Sequence, residues 1–390
     1  MEVKQIYKLI NSVSSEVLGK TDIVAEDLTG VVDLGAEIFN QGAVDNYVKS
    51  LVNHIGKVIF VNRPYAGKIP SVLMDAWEFG SVLEKISADV PEATENDTWN
   101  LTDGQEYKQD IFHKPVVSAK FFNSKVTFEV PVSITERQVK ESFSSAAQLN
   151  GFLSMIYAAV EKSMTIKTDA LIMRTINNMV GETLFADAAA FTSAKTLNYA
   201  SASTVRCVNL LYLYNQAKGT TLTADKCLTD GDFIRFASYQ MGLYADRLQS
   251  ISTLFNVGGK ERFTPKDSLH TVLLSDFAKG AQAYLYADTY NKEQVLLPNA
   301  ETVASWQGTG TDYGFAHTSS INIKTSGNHD INIGGVLGVM FDRDALGVCN
   351  LDKRVTTNYN AKAEFFNNYY KFDAGYFNDT NENFVVFFVA

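Results

Sequence analysis

The chain has 390 residues, of which 46% are hydrophobic and 20% charged, with a formal net charge of −10. That length holds two or more lobes with sizeable cores and excludes global disorder. The acidic balance, with no run of Lys or Arg, lacks the basic face on which phosphate-backbone affinity rests, so a primary nucleic-acid binder is not expected. The three cysteines, Cys207, Cys227 and Cys349, have neither knuckle spacing nor an even count, which argues against a metal knuckle or a disulfide framework and points to a reducing cytoplasm. The N-terminal "MEVKQIYKLI" has no apolar h-region, and no uncharged stretch approaches the length of a membrane span.

In chain order, Ile6, Leu9, Ile10, Val13 and Val17 share one helical face, and Gly19 stops that helix. A second amphipathic helix carries Val44, Tyr47, Val48, Leu51 and Ile55 and ends at Gly56, followed by a short strand, "KVIFVN". These elements form an arm too thin to hold a core alone. From about Asn62 to Asn123, "WEFGSVLEKISADV" and "YKQDIFHKPVVSAKFF" read as two extended segments. The tip between them gathers Asp89, Glu92, Glu95, Asp97 and Asp103 around Trp99. Two readings stay open here: a solvated loop, or a projecting arm whose exposed aromatics need a partner.

"KVTFEVPVSIT" alternates as a strand, with Pro131 expected at an edge or an end. A helix from about 145 to 180 follows, with Leu149, Phe152, Leu153, Ile156, Val160, Met164 and Leu171 in a stripe, spanning roughly 50 Å. Its charged residues exclude a membrane span, and no heptad supports a coiled coil, which leaves a spine packed along a sheet. A second lobe runs from Gly181 to Asp344. In it "VRCVNLLYLYN" is expected as a buried strand, Asp230 as the N-cap of "GDFIRFASYQMGLYADRL", and "SLHTVLLSDFAKGAQAYLYADTY" as strand then helix capped by Ser275. "SSINIKTSGNHDINIGGVLGVMF" gives strands joined by Gly and Asn turns. The tail reads as two strands with a turn near "NDTNEN", its C-terminus tucked into a sheet.

The one stretch that invites a catalytic reading is "GVLGVMFDRDALGV", an apolar strand running into Asp342-Arg343-Asp344. Asp-x-Asp after a strand serves phosphatases and metal-dependent glycosyltransferases, so a phosphoryl- or glycosyl-transfer enzyme using Asp342 and Asp344 is the alternative reading. Both enzyme types need more chain than the 46 residues that follow Asp344, and position 346 is Leu rather than the Thr or Val of the phosphatases. Asp342 as the end of a strand, with acidic caps on the turn or short helix beyond it, is the simpler expectation. "GGK" at Gly258 to Lys260 lacks the earlier Gly and the following Ser/Thr of a phosphate loop. The histidines His54, His113, His270, His317 and His329 show no metal spacing. No catalytic residue, cofactor or metal is therefore expected.

The order of elements resembles that of the major capsid proteins of tailed phages, which have the Hong Kong 97-type fold. The closest likeness is to those of small podophages of Gram-positive hosts. Three stretches carry it: "NQGAVDNYVKSLVNHIGKV" as arm helix; "KIPSV" with "FHKPVVSAKFFNSKVTFEVPVSITERQVKESFSSAAQLNGFLSMIYAAVEKSMTIKTDALIMRTINN" as loop return, strand and spine; and "VMFDRDALGV" with "FFNNYYKFDAGYFNDTNENFVVFFV" as closing strands. The resemblance implies an α+β fold with an N-terminal arm (1–62), an extended E-loop (63–122), a peripheral domain with a long spine helix (123–181), an axial domain (182–340) and a return to the peripheral sheet (341–390). It implies a homo-oligomer of hexamers and pentamers, forming an icosahedral or prolate virion shell around double-stranded DNA without sequence-specific binding; the alternative of another virion structural protein, such as a tail component or a jelly-roll shell, is separated from it by the expected long helix, which jelly rolls lack. Portal and scaffolding proteins would be partners during assembly in the host cytoplasm, with no membrane. A separate scaffolding protein is expected because no scaffolding segment precedes the arm, and no immunoglobulin-like extension follows Ala390. Trp77, Phe79, Trp99 and Phe112 are the expected inter-subunit contacts of the E-loop, because buried aromatics carry much interface energy.

Overall fold

The computed structural model describes residues 3–19, 34, 46–47, 50, 72–74, 83–88, 90–91, 93–107, 110, 112–135, 137, 146–193, 196–286, 297, 300–306 and 320–390. Helix and strand are mixed, as the α+β expectation has it, and the chain divides into two compact units. The first comprises Met1–Gly80, Lys125–Ile172 and Val348–Gly375; the second comprises Ser81–Ser124, Met173–Gly347 and Tyr376–Ala390.

In the first unit, α1 (Val3–Leu18) buries Ile10 and Val13 and stops where Gly19 turns to φ 67°. Ser50 donates to Glu16 of this helix at 2.6 Å, and the buried Tyr47 phenol meets Ser14 at 3.5 Å. Burial pushes the Tyr47 hydroxyl up to about 12, against a smaller opposing effect of Ser14. The rest of the expected second helix and "KVIFVN" lie outside the described residues.

The sheet of this unit has the order β1 (Leu73–Met74), β13 (Leu346–Asn360), β14 (Phe365–Asn378), β4 (Lys125–Thr135). β4 matches the expected strand residue for residue and pairs antiparallel with β14 from Thr135↔Phe365 to Lys125↔Gly375. It is an edge strand, and that position tolerates Pro131, which has no amide proton to donate to a further neighbour. Phe128 and Phe372 pair across the strands with rings 5.1 Å apart, while Thr127 and Arg354 both donate to Asp373 on the exposed face. β13 was not anticipated as a strand. Its alternation is masked because "LDKRVTTNYN" places polar and charged residues on both parities, and only the burial along the strand separates the faces.

The helix α2 (Ala146–Ala186) has 41 residues, about 60 Å at ~1.5 Å per residue. Ile156, Val160, Met164 and Leu171 are buried as the stripe requires, and burial becomes nearly continuous from Ala170 onward. Its buried threonines satisfy their hydroxyls internally, Thr168 donating to the Met164 carbonyl and Thr183 to that of Met179.

The second unit is built on a five-stranded sheet ordered β7 (Cys207–Asn209), β15 (Phe384–Phe388), β12 (Val336–Asp342), β8 (Leu269–Leu274), β9 (Ala300–Val303). β15 runs antiparallel to β12 and parallel to β7, and every residue of β12 and β15 is buried. The tail thus ends inside a sheet, as expected. Its two strands, β14 and β15, belong to different sheets, one in each unit. Helices Leu210–Lys218, Gly231–Arg247 and Ser275–Tyr286 supply Leu211, Phe233, Met241 and Phe277 to a core shared with Met340 and Phe387 of the sheet.

Two local expectations met different outcomes. Asp230 caps its helix, accepting from the Phe233 amide at 2.8 Å. "VRCVNLLYLYN" is not a strand throughout: β7 stops at Asn209, whose side chain accepts from the Tyr212 amide and starts a helix that Gly219 ends. The β-branched residues end at Val208, and Leu, Tyr, Asn and Gln beyond it fit a helix once a cap is present. A hairpin of Ile321–Lys324 (β10) and Asp330–Ile333 (β11) precedes β12, turning through Asn328 at φ 60°.

Candidate functional site: a projecting arm and its charged root

β2 (Leu83–Ala88) and β3 (Val117–Phe122) form an antiparallel two-stranded ribbon in register Leu83↔Phe122, Lys85↔Lys120, Ser87↔Ser118. The alternation is inverted relative to an ordinary surface hairpin. Leu83, Lys85, Ser87, Ser118, Lys120 and Phe122 face inward, while Ile86, Val117 and Phe121 point to solvent at 65%, 58% and 63% exposure. Beyond Ala88 and before Val117 lies a tip whose described residues are exposed. It has local order: the Asn96 carboxamide accepts from the Thr98 amide at 2.9 Å ahead of a single 3-10 turn, and the Tyr107 hydroxyl accepts from the Thr102 amide at 2.9 Å.

Of the sixteen large hydrophobic residues exposed among those described, nine lie between Ile86 and Phe121. A scattered exposed Leu or Phe needs no explanation, but a concentration of this kind on one projecting element marks an interaction surface. Trp99 is 94% exposed and Phe112 87% exposed, and both sit on the tip. Trp77 and Phe79, the other two expected contact residues, lie outside the described residues. Ile86, Val117 and Phe121 are not among the contacts expected from the sequence. The signal was present in "LEKISA" and "VSAKFF", where Lys85 and Lys120 share the parity of Leu83 and Phe122.

The inward face is fixed by charge. Lys85 Nζ lies 2.8 Å from Glu382 Oε1 and 3.0 Å from Asp379 Oδ2, and Lys120 Nζ lies 2.9 Å from Asp379 Oδ1. The same Glu382 oxygen accepts from Arg262 Nε at 3.2 Å. Asp379 and Glu382 belong to the turn between β14 and β15, the "NDTNEN" stretch, with side chains only 3% and 10% exposed. Burial alone would raise the Asp379 carboxyl, but Lys120, Lys85 and the Asn381 amide outweigh it and hold it below the usual range. Burial likewise works against the Lys85 ammonium, and Glu382 with Asp379 overcomes it and raises its pKa.

The Asp-x-Asp stretch joins this root rather than forming a site of its own. Asp342 ends β12, and its carboxylate accepts from the Asp344 amide at 2.9 Å while its carbonyl accepts from the Ala345 amide at 2.9 Å. The segment is a turn rather than a short helix, leading directly into β13. Asp342 is buried and Asp344 exposed, so the two carboxylates do not face one space. Burial pushes the Asp342 carboxyl up, against the Asp344 amide and Thr264. The Asp344 carbonyl accepts from Lys85 Nζ at 3.2 Å. Among the described residues, no three His, Cys, Asp or Glu side chains are placed to hold a metal. Gly258 to Lys260 form a turn whose Gly258 amide donates to Thr380, as the loop reading has it.

Among curated proteins, the major capsid protein of Bacillus phage B103 is 23% identical over 188 residues, which covers 47% of this chain and 40% of that protein. The chain therefore matches less than half the length of this relative. Two solved structures are similar over most of the chain. The capsid structure of Staphylococcus phage Andhra is 10% identical, covers 84% of this chain and 86% of that one, and has a TM-score of 0.48. The structure of head fiber and inner core protein gp22 of native bacteriophage P68 is 8% identical, covers 85% and 86%, and has a TM-score of 0.46. The model of the Phi29-like phage major capsid proteins matches residues 10–388, nearly the whole chain, and the protein belongs to that family.

Proposed function

We propose that the chain is the shell subunit of a phage head, assembling through hexamers and pentamers into an icosahedral or prolate shell around double-stranded DNA. Its fold is of the Hong Kong 97 type, divided as arm (1–62), E-loop (63–122), peripheral domain with spine (123–181), axial domain (182–340) and return (341–390). The observation that carries this reading is the projecting ribbon with its exposed Ile86, Val117, Phe121, Trp99 and Phe112, on a chain of the capsid family. In a monomer such a surface costs solvation free energy; in a shell it lies over the neighbouring subunit, with Trp77, Phe79, Trp99 and Phe112 as contacts. The net charge of −10 keeps the shell from clamping the packaged DNA. A scaffolding protein guides assembly in the host cytoplasm, and a portal protein occupies one vertex. The Asp-x-Asp stretch does not support the enzymatic alternative, since Asp342 is engaged by its own turn and Asp344 is exposed.

Sedimentation and negative-stain electron microscopy of the expressed chain, alone and with its scaffolding partner, test this. Capsomers or shells are expected. A monomer that persists at every protein concentration, with and without the partner, contradicts the proposal.

A further inference from the structure

The root of the arm holds an arrangement that the shell reading does not require. Lys85 and Lys120 are direct cross-strand neighbours on the ribbon's inward face. Like charges placed so are unfavourable unless something stands between them. Asp379 does, with one carboxylate oxygen on each lysine. Glu382 adds a second carboxylate to Lys85, and its Oε1 is shared with Arg262.

Arg262 stands at the base of a second projecting element. Ser252 and Arg262 exchange backbone hydrogen bonds at 2.9 and 3.0 Å, closing a loop. Ile251, Leu254 and Phe263, at and beside this loop, are 56%, 59% and 57% exposed. The loop is gripped by the same turn: its Gly258 amide donates to the Thr380 carbonyl at 2.8 Å, and the Phe384 amide donates to the Phe255 carbonyl at 2.9 Å. The charged groups around the two carboxylates are thus Lys85 and Lys120 from the arm, Arg262 from the loop, and Asp342 and Asp344 from the end of β12.

We infer that the turn Asp379–Glu382 is a releasable ionic clasp that couples the arm to the loop 251–263, with the Glu382 carboxylate as the charged group that the two share. Three features make the clasp the weak joint. The ribbon buries little apolar surface of its own, with Phe122 the one residue of its two strands that is buried. The lysines repel each other once the carboxylates are neutralised. The five-stranded sheet beneath does not depend on these charges, because β12 and β15 are held by apolar packing. Neutralising Glu382 frees arm and loop together while the sheet stays closed. Neutralising Lys120, which donates to Asp379 and Thr380 and lies over the Phe122 ring of its own strand, frees the arm alone. This coupling belongs to the single chain and is independent of whether the arm reaches a second copy.

Amide hydrogen exchange on the unassembled full-length chain tests it, comparing wild type, Glu382→Gln and Lys120→Met. In Glu382→Gln, exchange is expected to rise roughly tenfold or more in both 83–88 with 117–122 and 252–262, with no change in β12 and β15. In Lys120→Met, the rise is expected in the ribbon only. Faster exchange confined to one of the two elements in Glu382→Gln overturns the coupling. A rise spread over β12 and β15 overturns the clasp, since the charges then hold the whole unit. An equal rise in the loop for Lys120→Met assigns the effect to general loosening and overturns the role of the shared carboxylate.

Discussion

Asp342 and Asp379 are both buried carboxylates near one turn, and their environments drive them in opposite directions. Asp379, bracketed by two lysines, ionises below its ordinary value, so its stabilising contribution is full above the unfolded value of roughly pH 4 and is lost as the pH falls through the folded one. Lys85 has its pKa raised above 10.5, so its contribution is full below that value and is lost only as the pH rises through the raised one. Asp342 is raised by burial, and protonating it relieves a cost rather than adding one. Acid therefore loosens the arm's root while sparing the Asp342 turn. Hydrogen exchange of 83–88 is expected to be level, after correction for intrinsic rate, from about pH 5 to 9 and to accelerate below about pH 4. Acceleration already at pH 6 would contradict this. Gly335 sets a second single-residue limit. It turns at φ 70°, and a Cβ there would lie 2.3 Å from the Val389 carbonyl oxygen, so Gly335→Ala is expected to cost about 2 kcal/mol or more in urea denaturation.

The elements differ in how far their sequences reveal them. β4 and the Asp230-capped helix were legible because one face alternates and one cap is unambiguous. The spine was legible from its length without Pro and from the stripe through Ile156, Val160 and Met164. The strand β7 was overextended into a helix because Asn209, which ends it, reads equally well as a strand residue until its side chain is seen on the Tyr212 amide. The charged root could not be read at all: Lys85, Lys120, Arg262, Asp379 and Glu382 come from four separate stretches, and only the fold brings them together. The interior strand β15 carries its own prediction. Phe387 is fully buried in the core, and Phe387→Ala is expected to destabilise the chain by about 3–5 kcal/mol. A loss below about 1 kcal/mol, read by the same denaturation, would show that β15 packs less closely than described.

At the scale of the whole molecule, the chain has two compact units, and its arm leaves its apolar side chains in water. On the proposed reading, stability resides in the sheets and the capacity to assemble resides in the arm. Trp99→Ala with Phe112→Ala is accordingly expected to leave the melting temperature of the unassembled chain within a degree or two, because neither side chain packs against the body, while sharply reducing shell yield. The most direct measurement is a cryo-electron microscopy reconstruction of the assembled particle. The ribbon 83–122 is expected to lie on an adjacent copy, with Trp99 and Phe112 buried by it. A closed shell in which both side chains remain in solvent would contradict the central claim.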